Sequence, residues 1–191
     1  MGPSAEVMVV AALRTELLFV PGPKAALGVG ERARFRLRQL LERRHPQGVL
    51  ILGYAGGLRS ELLPGTLVLA DLILDREGAV PVREKLLSQA KKALPKAKVG
   101  PLFTDEKLTS REEKAALGKK ALAVDMETSH LVRELFSRGI PFLVGRVVLD
   151  AYFEEAPQGW RCLLWAGRAL RCSWALGRAA RLLRPVLAEG A

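Results

Sequence analysis

Cysteine is scarce in this chain, which has only Cys162 and Cys172 in 191 residues. Two cysteines ten positions apart in a helical segment suit free, buried thiols better than a disulfide framework or a metal site. The chain also lacks an apolar run long enough to span a membrane. It opens with an acidic residue before its first apolar run and has no basic start, so we expect a first strand rather than a signal peptide, and a cytoplasmic protein.

Acidic residues are outnumbered, with 20 Asp and Glu against 30 Lys and Arg, and the net charge is +10 with a pI near 10.1. Such a charge raises the question of nucleic acid as a partner. No aromatic-interleaved basic motif, zinc module or helix-turn-helix pattern accompanies it. We therefore interpret the arginines as solvated helix faces and do not expect nucleic acid as a partner.

The chain contains no internal repeat, linker or low-complexity stretch, and 49% of its residues are hydrophobic. Its length and composition predict one α/β domain over residues 1–191. Short apolar runs predict strands, and amphipathic segments predict helices. The expected strands are 7–13, 48–52, 67–74 and 96–102, and the expected helices are 31–44, 80–94 and 159–188, the last as one long helix or a helix pair. In that last segment Trp160 and Trp174 are interpreted as core or subunit contacts rather than a ligand platform.

The stretch 123–151 reads as strand, helix and strand. The helix follows from apolar residues at helical spacing and ends at Gly139 and Pro141; the spaced residues are Leu131, Val132, Leu135 and Phe136. We expect the two strands to be parallel and joined by a right-handed crossover, with ligands bound beyond their carboxyl ends. Asp125, Glu127 and Asp150 should then lie near a site, with Asp125 either capping a turn or standing behind the other two.

Four segments in order carry a family resemblance: VVAALRTEL (9–17), LGYAGGLRSELLPGTLVLAD (52–71), VDMET (124–128) and GRVVLDA (145–151). Together they resemble the purine nucleoside phosphorylase and nucleosidase superfamily, most closely its methylthioadenosine/S-adenosylhomocysteine nucleosidase-like branch. The resemblance implies a mixed, largely parallel sheet flanked by helices, the three-layer nucleoside phosphorylase-like fold. It also implies a homodimer, no cofactor or metal, and cleavage of a purine nucleoside's N-glycosidic bond.

The resemblance assigns roles to the residues that match its motifs. Asp150 would protonate the leaving base, Glu16 would orient and deprotonate water, and Glu127 would hold the ribose hydroxyls with Met126 packed on the sugar. The remaining assignments are the sugar-side loop at Tyr54, Ala55 and Gly56, the base-side segment from Phe103 to Leu108, and Arg146, which would pair with a carboxylate or take part in phosphate binding.

Hydrolysis and phosphorolysis are the two main alternatives. Phosphorylases of this superfamily place an arginine and a serine where this chain has Ile51 and Tyr54, and Glu16 would repel phosphate, so we expect water as the nucleophile. Arg14 and Arg59 could still build a different phosphate site.

Three departures from the family pattern leave a third alternative open. They are Leu149 in place of a serine, Tyr54 in place of a small residue, and a short 71–85 segment. All three would also suit a non-catalytic nucleoside-binding or assembly protein on the same fold.

Overall fold

The computed structural model describes residues 6–105, 111–151 and 161–190. Its strands are β1 Val7–Ala11, β2 Lys24–Ala26, β3 Gly48–Gly57, β4 Leu67–Leu74, β5 Ala79–Pro81, β6 Lys98–Thr104, β7 Ala123–Asp125 and β8 Phe142–Asp150. Its helices are α1 Glu31–Arg44, α2 Glu84–Ala93, α3 Arg111–Gly118, α4 Thr128–Ser137 and α5 Arg161–Glu189, with a 3-10 helix at Thr15–Leu17.

The strands form one mixed, largely parallel sheet, as the sequence predicted. β1 pairs in parallel with β2 and β3, β3 with β8, and β6 with β4 and β7. Antiparallel pairs join β3 to β7, β4 to β5, and β4 to β8. The pairings β3–β7–β6–β4–β8 return to β3, so these five strands close into a ring whose members have no free edge.

The predicted parallel crossover from β7 to β8 is wrong. β8 runs parallel to β3 and β7 runs antiparallel to it, so the two strands that flank α4 point in opposite directions. The reason is that three-residue β7 pairs only with the far end of β3, at Gly56 and Gly57, after β3 has bulged between Ala55 and Gly56. Closure of the ring thereby brings the end of β7 beside β8.

β3 is twice as long as the apolar run that predicted it, because it continues through the glycine-rich segment to Gly57. By contrast, the helix predicted over 80–94 is shorter in the structure, where α2 spans Glu84–Ala93. Pro81 ends strand β5, and Arg83 keeps an extended backbone with φ −58° and ψ 122° immediately before α2. A proline fixes φ and lacks a donor, which suits the end of an edge strand better than a helix interior.

Helices pack on the sheet through apolar stripes. α5 is one continuous helix that contacts β1, β3, β8 and the 3-10 helix, while α4 contacts α1 and strands β4, β5 and β6. The stripe of α1 is formed by Ala33, Leu37 and Leu41, spaced four apart. In α4 the expected Leu131, Val132 and Leu135 are buried, whereas Phe136 is exposed.

Two observations bear on how the chain meets its surroundings. Cys172, a residue of α5, is a free and buried thiol, as expected. In the part of the chain that the structure describes, no helix combines the length and apolar character needed to cross a membrane.

Gly177 lies where α5 packs closely on Phe19, in the segment that contains the 3-10 helix and the two residues after it. A Cβ at this position would lie 2.5 Å from the carbonyl oxygen and 2.7 Å from the Cβ of Phe19. We expect Gly177→Ala to lower the free energy of unfolding by about 1–3 kcal/mol through overpacking. Gly167 lies on the same helix with nothing within 4 Å, so Gly167→Ala should raise it by about 0.5–1 kcal/mol. Denaturant unfolding measures both, and equal effects would contradict this packing.

Candidate active site

Glu16 is a buried carboxylate held by two backbone donors. It lies in the 3-10 helix after β1 and is 2% exposed. Leu13 donates its amide hydrogen to Oε2 at 2.6 Å, and Tyr54 donates its amide hydrogen to Oε1 at 2.7 Å. These contacts fix the carboxylate between the end of β1 and the middle of β3.

Arg146 is the buried cation of the site and is 1% exposed on β8. Its Nη2 lies 2.5 Å from Asp125 Oδ2 and 2.7 Å from Glu127 Oε1, and it donates to Thr128 Oγ1. One guanidinium nitrogen therefore links the end of β7 to the start of α4. The expected pairing of Arg146 with a nearby carboxylate is observed.

Gly53 makes room for the other side of the same guanidinium. A Cβ at residue 53 would overlap Arg146 Nη1 and would lie 2.9 Å from Glu16 Oε1. Both groups thus occupy the space beside β3 that a side chain would fill. Among the residues that the structure describes, the buried Nη1 and Nε atoms of Arg146 have no hydrogen-bond partner. This half of the guanidinium acts on Glu16 through its charge.

Asp125 belongs, with Glu16, Glu127 and Arg146, to a buried cluster of charged side chains. Its carboxylate accepts hydrogen bonds from the Thr104 hydroxyl at 2.8 Å, from the Thr128 hydroxyl, and from the Thr128 amide at 3.3 Å. Asp125 thus serves the first turn of α4, where free amides need an acceptor. Glu127, the residue before α4, makes no capping bond with its side chain and turns its carboxylate to Arg146.

Burial and mutual repulsion raise the proton affinity of the two glutamates. Burial raises the pKa of Glu16, which the charge of Arg146 partly offsets. Burial also raises the pKa of Glu127 to about 7, again opposed by Arg146 and reinforced by the charges of Asp125 and Glu16. The carboxylates in turn raise the pKa of Arg146 despite its burial. Three carboxylates share one cation, and this imbalance favours any further positive charge.

Asp150 ends β8 on the far side of Gly56. The two residues are paired across β3 and β8, and a Cβ at Gly56 would lie 3.0 Å from Asp150 Oδ2. The Asp150 side chain is 26% exposed, and Lys114 Nζ lies 3.8 Å from its Oδ2. Asp150 is therefore more exposed than Glu16, Asp125 and Glu127. It lies beside the Lys114 ammonium group and the backbone of Gly56.

Met126 points away from the buried cluster. It is partly exposed and, one residue before Glu127, lines an open cleft of about 520 Å³ between the start of α1 and α4. The cleft's other lining residues are Val29, Gly30, Glu31, Arg32 and His130.

The other predicted substrate-binding residues are placed as follows. Tyr54 directs its hydroxyl to α5, where it lies 2.6 Å from Ser173 Oγ and donates to the Ala169 carbonyl, while its amide serves Glu16. Ala55 is buried on β3 beside Gly56. Phe103 packs in a small core with Leu58 and Ala121. Leu108 lies outside the described residues.

Four site residues were missed by sequence reasoning: Gly53, Thr104, Thr128 and Lys114. Thr128 follows the VDME segment directly, at the helix start where hydroxyl residues are favoured, so its position was a usable signal. Thr104 ends β6, and register places it opposite Asp125. The sequence alone does not show that pairing, because it depends on β6 and β7 being neighbours in the sheet.

Gly53 offers a direct test of the cluster. We expect Gly53→Ala to displace Arg146 and Glu16 and to lower the free energy of unfolding by about 1–3 kcal/mol through overpacking. Denaturant unfolding would measure this, with Gly167→Ala as the matched control that is not destabilised. A Gly53→Ala protein as stable as the parent would contradict the described approach of Arg146 to β3.

Residues 12–188 match the family described as the Phosphorylase superfamily. A curated 5'-methylthioadenosine/S-adenosylhomocysteine nucleosidase from Marinomonas sp. (strain MWYL1) is 31% identical over 145 residues. That alignment covers 62% of this chain and 63% of the relative, so the chain matches less than two thirds of that protein's length.

Solved structures share the fold at low identity. The nucleosidase of Helicobacter pylori named for 5'-methylthioadenosine and S-adenosyl homocysteine has a TM-score of 0.77 at 18% identity, covering 96% of this chain and 98% of that one. The futalosine hydrolase of the same organism has a TM-score of 0.79 at 17% identity, covering 97% and 98%. S-adenosylhomocysteine nucleosidase from Streptococcus pyogenes has a TM-score of 0.75 at 19% identity, covering 99% and 98%.

Proposed function

The chain belongs to the Phosphorylase superfamily, and on that premise we propose that it hydrolyses the N-glycosidic bond of a purine nucleoside. The observation that carries this proposal is the convergence of Glu16, Glu127 and Asp150 on the paired strands β3 and β8. Glu16 is bonded to the Tyr54 amide, Glu127 to Arg146, and Asp150 lies against Gly56. Similar proteins named as nucleosidases for methylthioadenosine and S-adenosylhomocysteine, and one named as a futalosine hydrolase, support a nucleoside with a 5′ substituent as substrate.

The proposed reaction breaks the bond between the anomeric carbon and the base nitrogen. Asp150 gives a proton to the imidazole ring of the leaving base, whose nitrogen keeps the bonding electrons. The ribosyl group becomes cationic, and the surplus of buried carboxylates stabilises that charge. Water adds to the anomeric carbon, and Glu16 accepts its proton. The products are the free base and the free sugar, with one water consumed.

Glu127 holds the sugar in this proposal. Its carboxylate is oriented by Arg146 and accepts hydrogen bonds from the ribose hydroxyls, while Met126 supplies an apolar contact at the cleft. In this proposal the cleft lined by Met126 gives a 5′ substituent room to extend.

Electrostatics favour water over phosphate as the nucleophile. Ile51 is fully buried in the core, so this position of β3 offers no charge to an anion. Glu16, Asp125 and Glu127 outnumber Arg146, and an added phosphate would meet net repulsion. Of the two other candidate cations, Arg59 donates to the Gly118 carbonyl and Arg14 is exposed.

Two of the departures from the family pattern have a structural role that leaves the cluster intact. Tyr54 carries its bulk to α5, and Leu149 packs against the main core. The short 71–85 segment forms the β4–β5 hairpin and leads into α2. These placements favour a catalytic protein over a purely binding or assembly protein.

Free-base release from a panel of nucleosides tests this proposal. The panel comprises methylthioadenosine, S-adenosylhomocysteine, futalosine, adenosine and inosine, each assayed with and without phosphate. We expect phosphate-independent release, and we expect Asp150→Asn to lower the rate about 10²–10⁴-fold because it keeps the shape and removes the proton. Base binding should survive that change.

Three other outcomes of this assay would overturn part of the proposal. Release that requires phosphate and yields ribose-1-phosphate would make the protein a phosphorylase. Nucleoside binding without any release would favour the non-catalytic alternative. An Asp150→Asn protein as fast as the parent would remove Asp150 from the mechanism.

We further propose a homodimer in the cytoplasm. The free thiol of Cys172 suits a reducing compartment. Large apolar side chains are exposed on α5 and on the 3-10 helix segment that packs against it, namely Leu13, Leu18, Phe19, Leu170 and Trp174. Exposed apolar side chains on two elements that pack together are typical of a protein–protein contact surface. Because Leu13 also donates to Glu16, a partner seated there would adjoin the site.

Light scattering tests the dimer. We expect a mass twice the 20.9 kDa of one chain at micromolar concentration, and a shift toward monomer in Trp174→Glu, which places a charge in the patch. Phe136→Glu, which changes an exposed aromatic residue on α4, is the control and should stay dimeric. A parent protein that is monomeric at this concentration would contradict the proposal.

A further inference from the structure

Asp125 is a buried carboxylate that makes no contact with the substrate in the proposed reaction. It ends β7, is 6% exposed, and lies two residues before Glu127. Its acceptor positions are nevertheless all engaged, by Thr104, by the start of α4 and by Arg146. These four contacts hold the Asp125 carboxylate in one orientation.

The contact with Arg146 distinguishes Asp125 from an ordinary helix cap. A cap needs only an oxygen for the first amides of α4, and Asp125 Oδ1 meets that need by accepting a hydrogen bond from the Thr128 amide. Asp125 Oδ2 also lies on the same Nη2 atom that serves Glu127 Oε1, at 2.5 and 2.7 Å. The Asp125 and Glu127 carboxylates thus share one nitrogen of Arg146. The positive charge of Arg146 therefore neutralises each carboxylate only in part.

The same contact orients the whole guanidinium. With Nη2 held at Asp125 and Glu127, the planar group places Nη1 in the space beside Gly53, next to Glu16. A guanidinium has a rigid fork geometry, so fixing one nitrogen on two partners fixes the direction of the other. The position of Arg146 between the two glutamates therefore depends on Asp125.

We propose that Asp125 is a positioning residue, which holds Arg146 between Glu16 and Glu127 and keeps the charge of Glu127 only partly neutralised. The catalytic meaning of this arrangement rests on the proposed function, whereas the arrangement itself can be measured in the ligand-free protein. An incompletely neutralised Glu127 is a stronger acceptor for ribose hydroxyls and a better partner for a ribosyl cation.

Three charged groups act on Glu127 in the part of the chain that the structure describes. Arg146 on β8 lowers its proton affinity, and Asp125 on β7 and Glu16 in the 3-10 helix raise it, together with burial. Removing the charge of Asp125 takes away one repulsion and releases Arg146 Nη2 to Glu127 alone. Both effects favour the ionised form, so the titration of Glu127 must move to lower pH.

The test is a pH titration by NMR of protein labelled with ¹³C at the glutamate carboxyl carbon, with Glu127→Gln to assign the signal. Glu127 should titrate near pH 7 in the parent, where burial and its neighbours raise its pKa to about 7. In Asp125→Asn the midpoint should fall by about one pH unit or more. Asp75→Asn is the matched control, since Asp75 is also bound by an arginine, Arg133, outside the cluster, and it should leave the midpoint unchanged.

An unchanged Glu127 midpoint in Asp125→Asn, or one that rises, would overturn the proposal and leave Asp125 as a helix cap. Should Asp125→Asn fail to fold, Asp125→Ser keeps an oxygen for the first turn of α4 and removes the charge, and the same fall is expected.

Activity gives a separate result. If the parent cleaves nucleosides, the limb of the kcat/KM profile that reports Glu127 should move with the NMR midpoint, whereas a purely structural change would lower the rate equally at every pH. If the parent cleaves none, the proposed function fails while the midpoint shift still stands.

Discussion

The burial of the Arg146 guanidinium is the constraint on which the rest of the site depends. Removing an ion of this kind from water costs several kcal/mol, and unless partners compensate it the fold would not tolerate it. Asp125 and Glu127 compensate through Nη2, and Glu16 does so through space across Gly53. Because these partners come from β7, the start of α4 and the 3-10 helix, one cation fixes three separate parts of the chain. Loss of a single partner of such a group typically costs about 3–5 kcal/mol.

The fold serves this cation by bringing strand ends together. Closure of β3, β7, β6, β4 and β8 into a ring places the end of β7 beside the middle of β8, so that Asp125 reaches Arg146. Ser173 on α5 is hydrogen-bonded to the Tyr54 hydroxyl on β3. Ser173 also donates to the carbonyl of Thr15, the residue before Glu16, so α5 is linked to the segment that carries Glu16. The charge excess that results suits a reaction in which positive charge develops on a ribosyl group.

Sequence reasoning recovered what local pattern determines. Apolar runs located most strands, helical spacing located α1 and α4, and the order of four motifs led to the right superfamily. The same motifs singled out Glu16, Glu127 and Asp150, whose catalytic roles remain predictions. It failed where the outcome depends on pairing between distant segments. Nothing in VDMET shows that β7 runs against β3, and no local signal links Thr104 to Asp125 or Gly53 to Arg146. Those contacts arise from ring closure and register, which a single sequence does not display.

The central claim is that buried carboxylates in excess of Arg146 stabilise positive charge where the ribose would lie. Calorimetry with two adenine derivatives tests this most directly: one carries a protonated pyrrolidine in place of the ribose, and the other its uncharged cyclopentane counterpart. We expect the cation to bind at least tenfold more tightly near neutral pH, a difference of about 1.4 kcal/mol, and we expect Glu127→Gln to reduce this difference in affinity. Equal affinity, or tighter binding of the uncharged compound, would contradict it.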